Sequence, residues 1–186
     1  LASPSGLALV GDHVHVGVSG ERWLARVPKG GGEVERLAHV TGPTDVAFAG
    51  GHVVVADYLG NELLRFDTEG GARTVLAAPE SGIYQLGVGA GLVAWSSFAQ
   101  ELRAAPLAGG ASRVLAPENA RRIAFREPHF YFSSNRPDGG RVSRATPEGV
   151  WDVVVADAAA DAAFIEGLDV DATHVYFACW GGGRPS

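Results

Sequence analysis

Five segments of this chain superpose without a gap, and that repeat constrains the fold more than any other feature. They are Leu7–His13, Val46–His52, Leu86–Leu92, Ile123–His129 and Leu168–His174, and their starts lie 39, 40, 37 and 45 residues apart. Each reads as a strand, a tight turn and the start of a second strand. The second strands continue as Val14–Val16, Val53–Val55, Val93–Trp95, Phe130–Phe132 and Val175–Phe177, rich in β-branched and aromatic residues. In the first four units a third strand follows, at Trp23–Val27, Glu62–Phe66, Glu101–Ala105 and Arg141–Ala145. A Gly- or Pro-containing turn then leads to a short fourth strand, at Val34–Leu37, Arg73–Leu76, Arg113–Leu115 and Val153–Val155.

Four short antiparallel strands at a period near 40 residues point to the blades of a β-propeller. The expected fold is therefore all-β: four four-stranded blades plus half of a fifth. The repeat places one domain over 1–186, with units at about 6–38, 44–77, 84–116, 121–157 and 165–186, the last incomplete. No unit holds a helical apolar stripe, which excludes an α-solenoid. The Ala-rich stretch Ala156–Phe164 is longer than the equivalent linkers and is expected to form a loop or a short helical turn. The chain opens at Leu1 already in pattern, and the fifth unit has no third or fourth strand. It therefore reads as a fragment of a six-bladed parent, with an open edge strand suited to pairing with a second copy.

The segment Val55-Ala-Asp-Tyr-Leu-Gly-Asn-Glu-Leu-Leu-Arg-Phe-Asp67 resembles an NHL-type repeat, with its "VAD" strand, Gly/Asn turn and "RFD" strand. The wider resemblance is to six-bladed TolB-like propellers, a group that includes NHL proteins, secreted bacterial proteins and gluconolactonase-like hydrolases. It implies a bacterial, extracytoplasmic protein, periplasmic or secreted. The Ala/Gly/Val/Arg-heavy composition also suits a high-GC bacterium.

In a propeller, the loops entering strand one and those joining strands two and three crowd one face, where ligands usually bind. The repeat places Asp45, Tyr84, Gln85, Arg121, Arg122 and Glu166 at strand-one entries, and Asp57, Tyr58, Asn135 and Arg136 in strand two-to-three loops. This mixed rim suits a protein, peptide or small polar ligand, with arginine offering a fork to a carboxylate. Asp45 and Asp57 equally suit turn-forming bonds to the backbone. Gluconolactonase-like propellers hold a divalent ion with Glu, Asn and Asp. The resemblance thus offers Asp45, Asn135 and Glu166 as an alternative calcium set, opposed by the adjacent arginines.

His13, His52, His129 and His174 share one column of the repeat, so the blades hold them apart and they do not form one metal site. The sequence has no Gly-x-Ser-x-Gly nucleophile motif and no phosphate loop, and no catalytic residue is assigned. A net charge of −6 disfavours nucleic acid and anionic membranes as partners, and no apolar run is long enough to cross a bilayer. The single cysteine, Cys179, is expected to be a small buried residue of strand two. Trp95, Phe132 and Phe177 align with Val16 and Val55 and are expected to pack between blades. The leading expectation is a non-enzymatic binding or scaffold module. The alternatives are a metal-dependent gluconolactonase-like hydrolase and an extracellular sensor segment of a larger receptor.

Overall fold

The computed structural model describes residues 1–79, 82–136, 139–159 and 164–180. These form eighteen strands and no helix. Blade one comprises β1 (Pro4–Val10), β2 (His13–Val18), β3 (Trp23–Pro28) and β4 (Glu35–His39). Blade two comprises β5 (Pro43–Ala49), β6 (His52–Asp57), β7 (Glu62–Phe66) and β8 (Thr74–Ala77). Blade three comprises β9 (Ile83–Gly89), β10 (Leu92–Ser97), β11 (Glu101–Pro106) and β12 (Arg113–Ala116). Blade four comprises β13 (Arg122–Arg126), β14 (His129–Arg136), β15 (Gly139–Ala145) and β16 (Trp151–Ala159). A fifth unit pairs β17 (Phe164–Val170) with β18 (Val175–Trp180). Each blade is an antiparallel meander in chain order. The first strands stand side by side, β1 against β5, β5 against β9, β9 against β13 and β13 against β17. The chain is a β-propeller.

The second strands show why the blades stack. Successive side chains of a strand point to opposite faces. In β6, Val53 and Val55 pack towards blade one, with Ala8, Val10, Leu24 and Leu64. Val54 and Ala56 pack towards blade three, with Ile83, Leu86, Val93 and Trp95. In β10, Val93 and Trp95 face blade two, while Leu92 and Ala94 face blade four beside Phe130 and Phe132. A strand with apolar neighbours on both faces reads as a continuous hydrophobic run, which is the pattern of Val53-Val-Val-Ala56.

The close spacing of inner strands depends on glycine. Gly89 of β9 lies against the Phe125 ring of β13, and a Cβ there would overlap the ring.

Three expectations are corrected. The stretch from Ala156 does not begin a helical turn: β16 continues to Ala159, because pairing with β15 supplies its backbone partners, as in Gly140 against Ala159. Residues 160–163 lie outside the described residues. Phe177 is not interior but 37% exposed, and Cys179 is exposed as well. The fifth unit packs on blade four through β17, and among the described residues β18 pairs with β17 alone. With β17 as its one partner among the described residues, β18 leaves Phe177 and Cys179 in contact with solvent. Trp95 and Phe132, in the same column, are fully buried.

Candidate functional site

The upper ends of the inner strands share an irregularity. In blade one, Ser5 pairs with Gly17 and Leu7 with Val16, leaving Gly6 as an extra residue. In blade two, Pro43 pairs with Asp57 and Asp45 with Ala56, leaving Thr44. In blade three, Ile83 pairs with Ser97 and Leu86 with Trp95, so Tyr84 and Gln85 oppose Ser96. In the fifth unit Glu166 is the extra residue, between Ile165–Cys179 and Gly167–Ala178. Blade four alone keeps a regular register between β13 and β14 among the described residues. A bulge bends the strand and re-aims its side chains, and here it does so repeatedly around one face. Gly6 makes its bulge with φ +58°, against the Asp45 backbone, where a Cβ would overlap.

Serines of strand two secure these entries. Ser96 Oγ accepts the Gln85 N–H at 3.2 Å, and Ser133 Oγ accepts the Arg122 N–H at 3.2 Å. Both serines are buried.

Between the inner strands on this face lies a cleft of about 460 Å³. Blades one and two contribute Ser5, Ser19, Pro43 and Thr44. Blade three contributes Tyr84, Gln85, Ser96, Ser97 and Phe98, and the approach to blade four contributes Asn119, Ala120, Arg121 and Arg122. Four of the residues predicted for the rim, Tyr84, Gln85, Arg121 and Arg122, therefore line one cavity.

Three aromatic rings meet beside the cleft, of which Tyr84 and Phe98 line it and Tyr58 does not. Tyr58 and Tyr84 lie 5.2 Å apart between centroids, Tyr58 and Phe98 5.8 Å, and Tyr84 and Phe98 5.4 Å. Tyr84 is 46% and Phe98 55% exposed. Phe98 was not among the predicted residues, although it falls in the repeat column of Tyr58: Ser97-Phe98 aligns with Asp57-Tyr58.

Another part of the lining is cationic. Arg122 donates from Nε to the Glu166 carbonyl at 2.6 Å, from Nη2 to Glu166 Oε2 at 3.0 Å and from Nη1 to the Arg121 carbonyl at 3.5 Å. Arg121 donates from Nη2 to Glu166 Oε1 at 2.7 Å. One carboxylate thus serves two guanidinium groups, and the trio carries one net positive charge. The Arg121 side chain is half exposed, and its Nε and Nη1 have no protein acceptor among the described residues.

The other predicted residues lie outside the lining. Asp57 is buried and accepts the amides of Thr41 at 3.0 Å, Gly42 at 2.7 Å and Gly60 at 3.0 Å, so it holds the entry and exit loops of blade two. Asp45 accepts Val46 N–H and Leu86 N–H, each at 2.9 Å, tying blade two to blade three. Burial pushes the Asp45 carboxyl above the usual carboxylate range, against the opposing pull of those two amides and of the Arg122 charge. Asn135 Oδ1 accepts Ile165 N–H at 3.0 Å, tying blade four to the fifth unit. Arg136 pairs through its main chain with Gly139, and its side chain lies outside the described residues.

Glu118 was missed entirely. It is buried in the linker before blade four, where Ser134 Oγ donates to Oε1 at 2.9 Å and Ser143 Oγ to Oε2 at 3.2 Å, with Arg141 3.8 Å away. No column of the repeat contains it.

The oxygens offered as calcium ligands do not fit a cation site. Those of Asp45 and Asn135 accept backbone amides, and those of Glu166 accept two guanidinium groups. Among the described residues, no three His, Cys, Asp or Glu side chains are grouped to hold a metal ion. No helix among them is long and apolar enough to cross a membrane.

No family model matches the chain, and no curated protein matches it. Solved structures do. A chain of the nidogen/laminin complex is similar at a TM-score of 0.77 and 17% identity, over 95% of this chain and 72% of that one. The streptogramin B lyase structure is similar at a TM-score of 0.73 and 14% identity, over 95% of this chain and 62% of the lyase. The computationally designed Ika8 protein is similar at a TM-score of 0.67 and 14% identity, over 95% of this chain and 55% of that one. At such identities the likeness is one of fold.

Proposed function

We propose that this chain is a β-propeller binding module that receives a peptide, a protein loop or a small polar ligand on the face carrying the bulged strand entries. One observation carries the reading: exposed aromatic rings and a half-exposed arginine, drawn from different blades, line a single cleft. Aromatic and arginine side chains are the groups that most often anchor partners. A propeller scaffold hosts both binding and catalysis, so the proposal rests on the cleft and not on the fold. The similarity to a chain of the nidogen/laminin complex, itself an assembly of proteins, supports a protein or peptide partner. The "VAD…RFD" sequence of Val55–Asp67 supports kinship with NHL-type, six-bladed TolB-like repeats, and with it a bacterial, extracytoplasmic setting.

Selection from a displayed random-peptide library tests the proposal. Enriched peptides should bind the chain and lose at least about tenfold in affinity to a Tyr84→Ala/Phe98→Ala double variant, a difference of ~1.4 kcal/mol. His52→Ala and His129→Ala, at the opposite ends of their strands, should bind as the parent does. Peptides indifferent to the double variant would sink the proposal.

A further inference from the structure

Resting on the reading of this face as a binding surface, we infer that the cleft takes a compact aromatic acid. Its ring lies against Tyr84 and Phe98, and its carboxylate is held by Arg121 above the Ser97 hydroxyl.

Each half of that ligand answers a feature of the site. Tyr84 and Phe98 expose about half their area at the cleft and meet each other at 89°, so one presents an edge where the other presents a face. A third ring added to such a pair gains edge-to-face contact as well as burial. The two arginines differ in what they have left to offer. Arg122 has each of its guanidinium nitrogens on an acceptor. Arg121 has one nitrogen on Glu166, and its Nε and Nη1 remain without protein acceptors among the described residues. Nη2 carries two hydrogens, one beside Nε and one beside Nη1, and Glu166 takes one of them; the edge bearing the other keeps two unengaged donors, which match the two oxygens of a carboxylate. Glu166 neutralises one guanidinium and leaves the other's charge for a ligand. The chain as a whole is acidic at −6, so attraction of an acid is local to this edge.

Ser97 supplies the independent sign of a ligand. The residue lines the cleft and is 3% exposed, and its buried Oγ has no hydrogen-bond partner among the described residues. A buried hydroxyl without a partner is costly, and a ligand oxygen entering the cleft would satisfy it. The neighbouring Ser96 is already engaged by Gln85. The volume of about 460 Å³ falls within the range of small-molecule sites and admits one ring with a short acid arm. An organic cation would also find aromatic faces here, but Arg121 in the same cleft repels it.

The test uses N-acetyl-L-phenylalanine, its carboxamide, N-acetylglycine and phenyltrimethylammonium, read by saturation-transfer NMR and calorimetry on the full chain. The phenylalanine acid should bind, with the carboxamide at least about tenfold weaker and N-acetylglycine showing no transfer. Arg121→Gln should bind acid and carboxamide equally. Phe98→Ala should weaken both, and Ser97→Ala should weaken the acid about threefold or more. Circular dichroism and melting of each variant establish that it is folded. Equal binding of acid and carboxamide by the parent overturns the assignment, as does a preference that survives Arg121→Gln. Stronger binding of phenyltrimethylammonium overturns it in favour of a cation cage. No transfer from any probe overturns it too; peptides selected on this face would then still uphold the broader reading, and their absence would remove both.

Discussion

Blades two and four bury a carboxylate at the same level of the propeller, but they supply it from opposite sides. In blade two the acid is on the strand: Asp57 ends β6, and the linker answers with the amides of Thr41 and Gly42. In blade four the acid is on the linker: Glu118 reaches in, and the strands answer with the hydroxyls of Ser134 and Ser143. Ser134 occupies the repeat position of Asp57. The repeat thus preserves a bond between linker and strand two while exchanging donor for acceptor. The exchange bears on the site, because the blade-four linker also carries Asn119 and Arg121 to the cleft. Glu118 anchors that linker from below.

The largest effect should come from Asp57→Ala. Three amides, two of them in the linker, would lose their acceptor in a buried setting at roughly 1–3 kcal/mol for each group left unsatisfied. A loss of about 3–5 kcal/mol is expected, read as a fall of roughly 10 °C in melting temperature for a chain of this length. If Asp57→Ala melts within about 2 °C of the parent, the blade-two half of the comparison fails.

Next in size is the blade-four pair. Glu118→Ala and Ser134→Ala should each destabilise, with the glutamate change about 2–4 kcal/mol and the serine change about 1 kcal/mol. In a double-mutant cycle the two should couple by about 0.5–1 kcal/mol or more. Additive effects would mean that Ser134 does not hold Glu118. Glu118→Ala should also weaken any ligand of the cleft, since Arg121 follows three residues later on the same linker.

The two carboxylates were unequally readable. Asp57 belongs to a column of the repeat and to a turn-forming sequence, so its alternative role as a backbone acceptor could be stated from the chain alone. Glu118 stands in a linker whose length varies, and only the packed structure shows serines of β14 and β15 around it. The blades themselves were legible because strand two is apolar on both faces and recurs at a fixed interval. Strand ends were less so: Ala156–Ala159 has helical composition, and pairing along β15 overrode it. Phe177 was placed inside by its column with Trp95 and Phe132, and Cys179 as a small residue of strand two, but burial of a strand requires a neighbour on each side. At the cleft, columns located Tyr84, Gln85, Arg121 and Arg122. They could not show which arginine Glu166 would saturate.

Asp45 extends the comparison to an acid with fewer donors. It has two amides where Asp57 has three, and burial holds its carboxyl above the usual range. The folded state therefore binds protons more readily than the unfolded chain, and Asp45 costs stability as pH rises through its unfolded value near 4. Asp45→Asn removes that charge but leaves one amide facing an NH2 group, so a net change of about 1 kcal/mol is expected at neutral pH. The variant should lose more stability relative to the parent at pH 4 than at pH 7. Urea unfolding at the two values measures this, and a pH-independent difference would contradict it.

A buried base gives the opposite sign and the smallest effect. His15 sits between blades one and two with Nε2 3.0 Å from the Thr68 carbonyl, so Nε2 carries the hydrogen and Nδ1 is left buried without a partner among the described residues. Burial lowers its pKa, the Thr68 bond opposes this, and the nearby Arg26 and His13 charges lower it further against Glu69. A lowered value means that the unfolded chain takes up the proton first. The stability His15 contributes is therefore present above its unfolded value near 6.5 and is lost as pH falls below it. His15→Gln cannot titrate but can still donate to Thr68. Between pH 7.5 and 5.5 the parent should lose more stability than this variant, at most ~1.4 kcal/mol for each pH unit that one proton is linked. Parallel curves for the two proteins would mean that the imidazole is protonated within the interface. Arg26 would then have to tolerate a second cation beside the same Thr68 carbonyl, to which its Nη1 already donates at 3.3 Å.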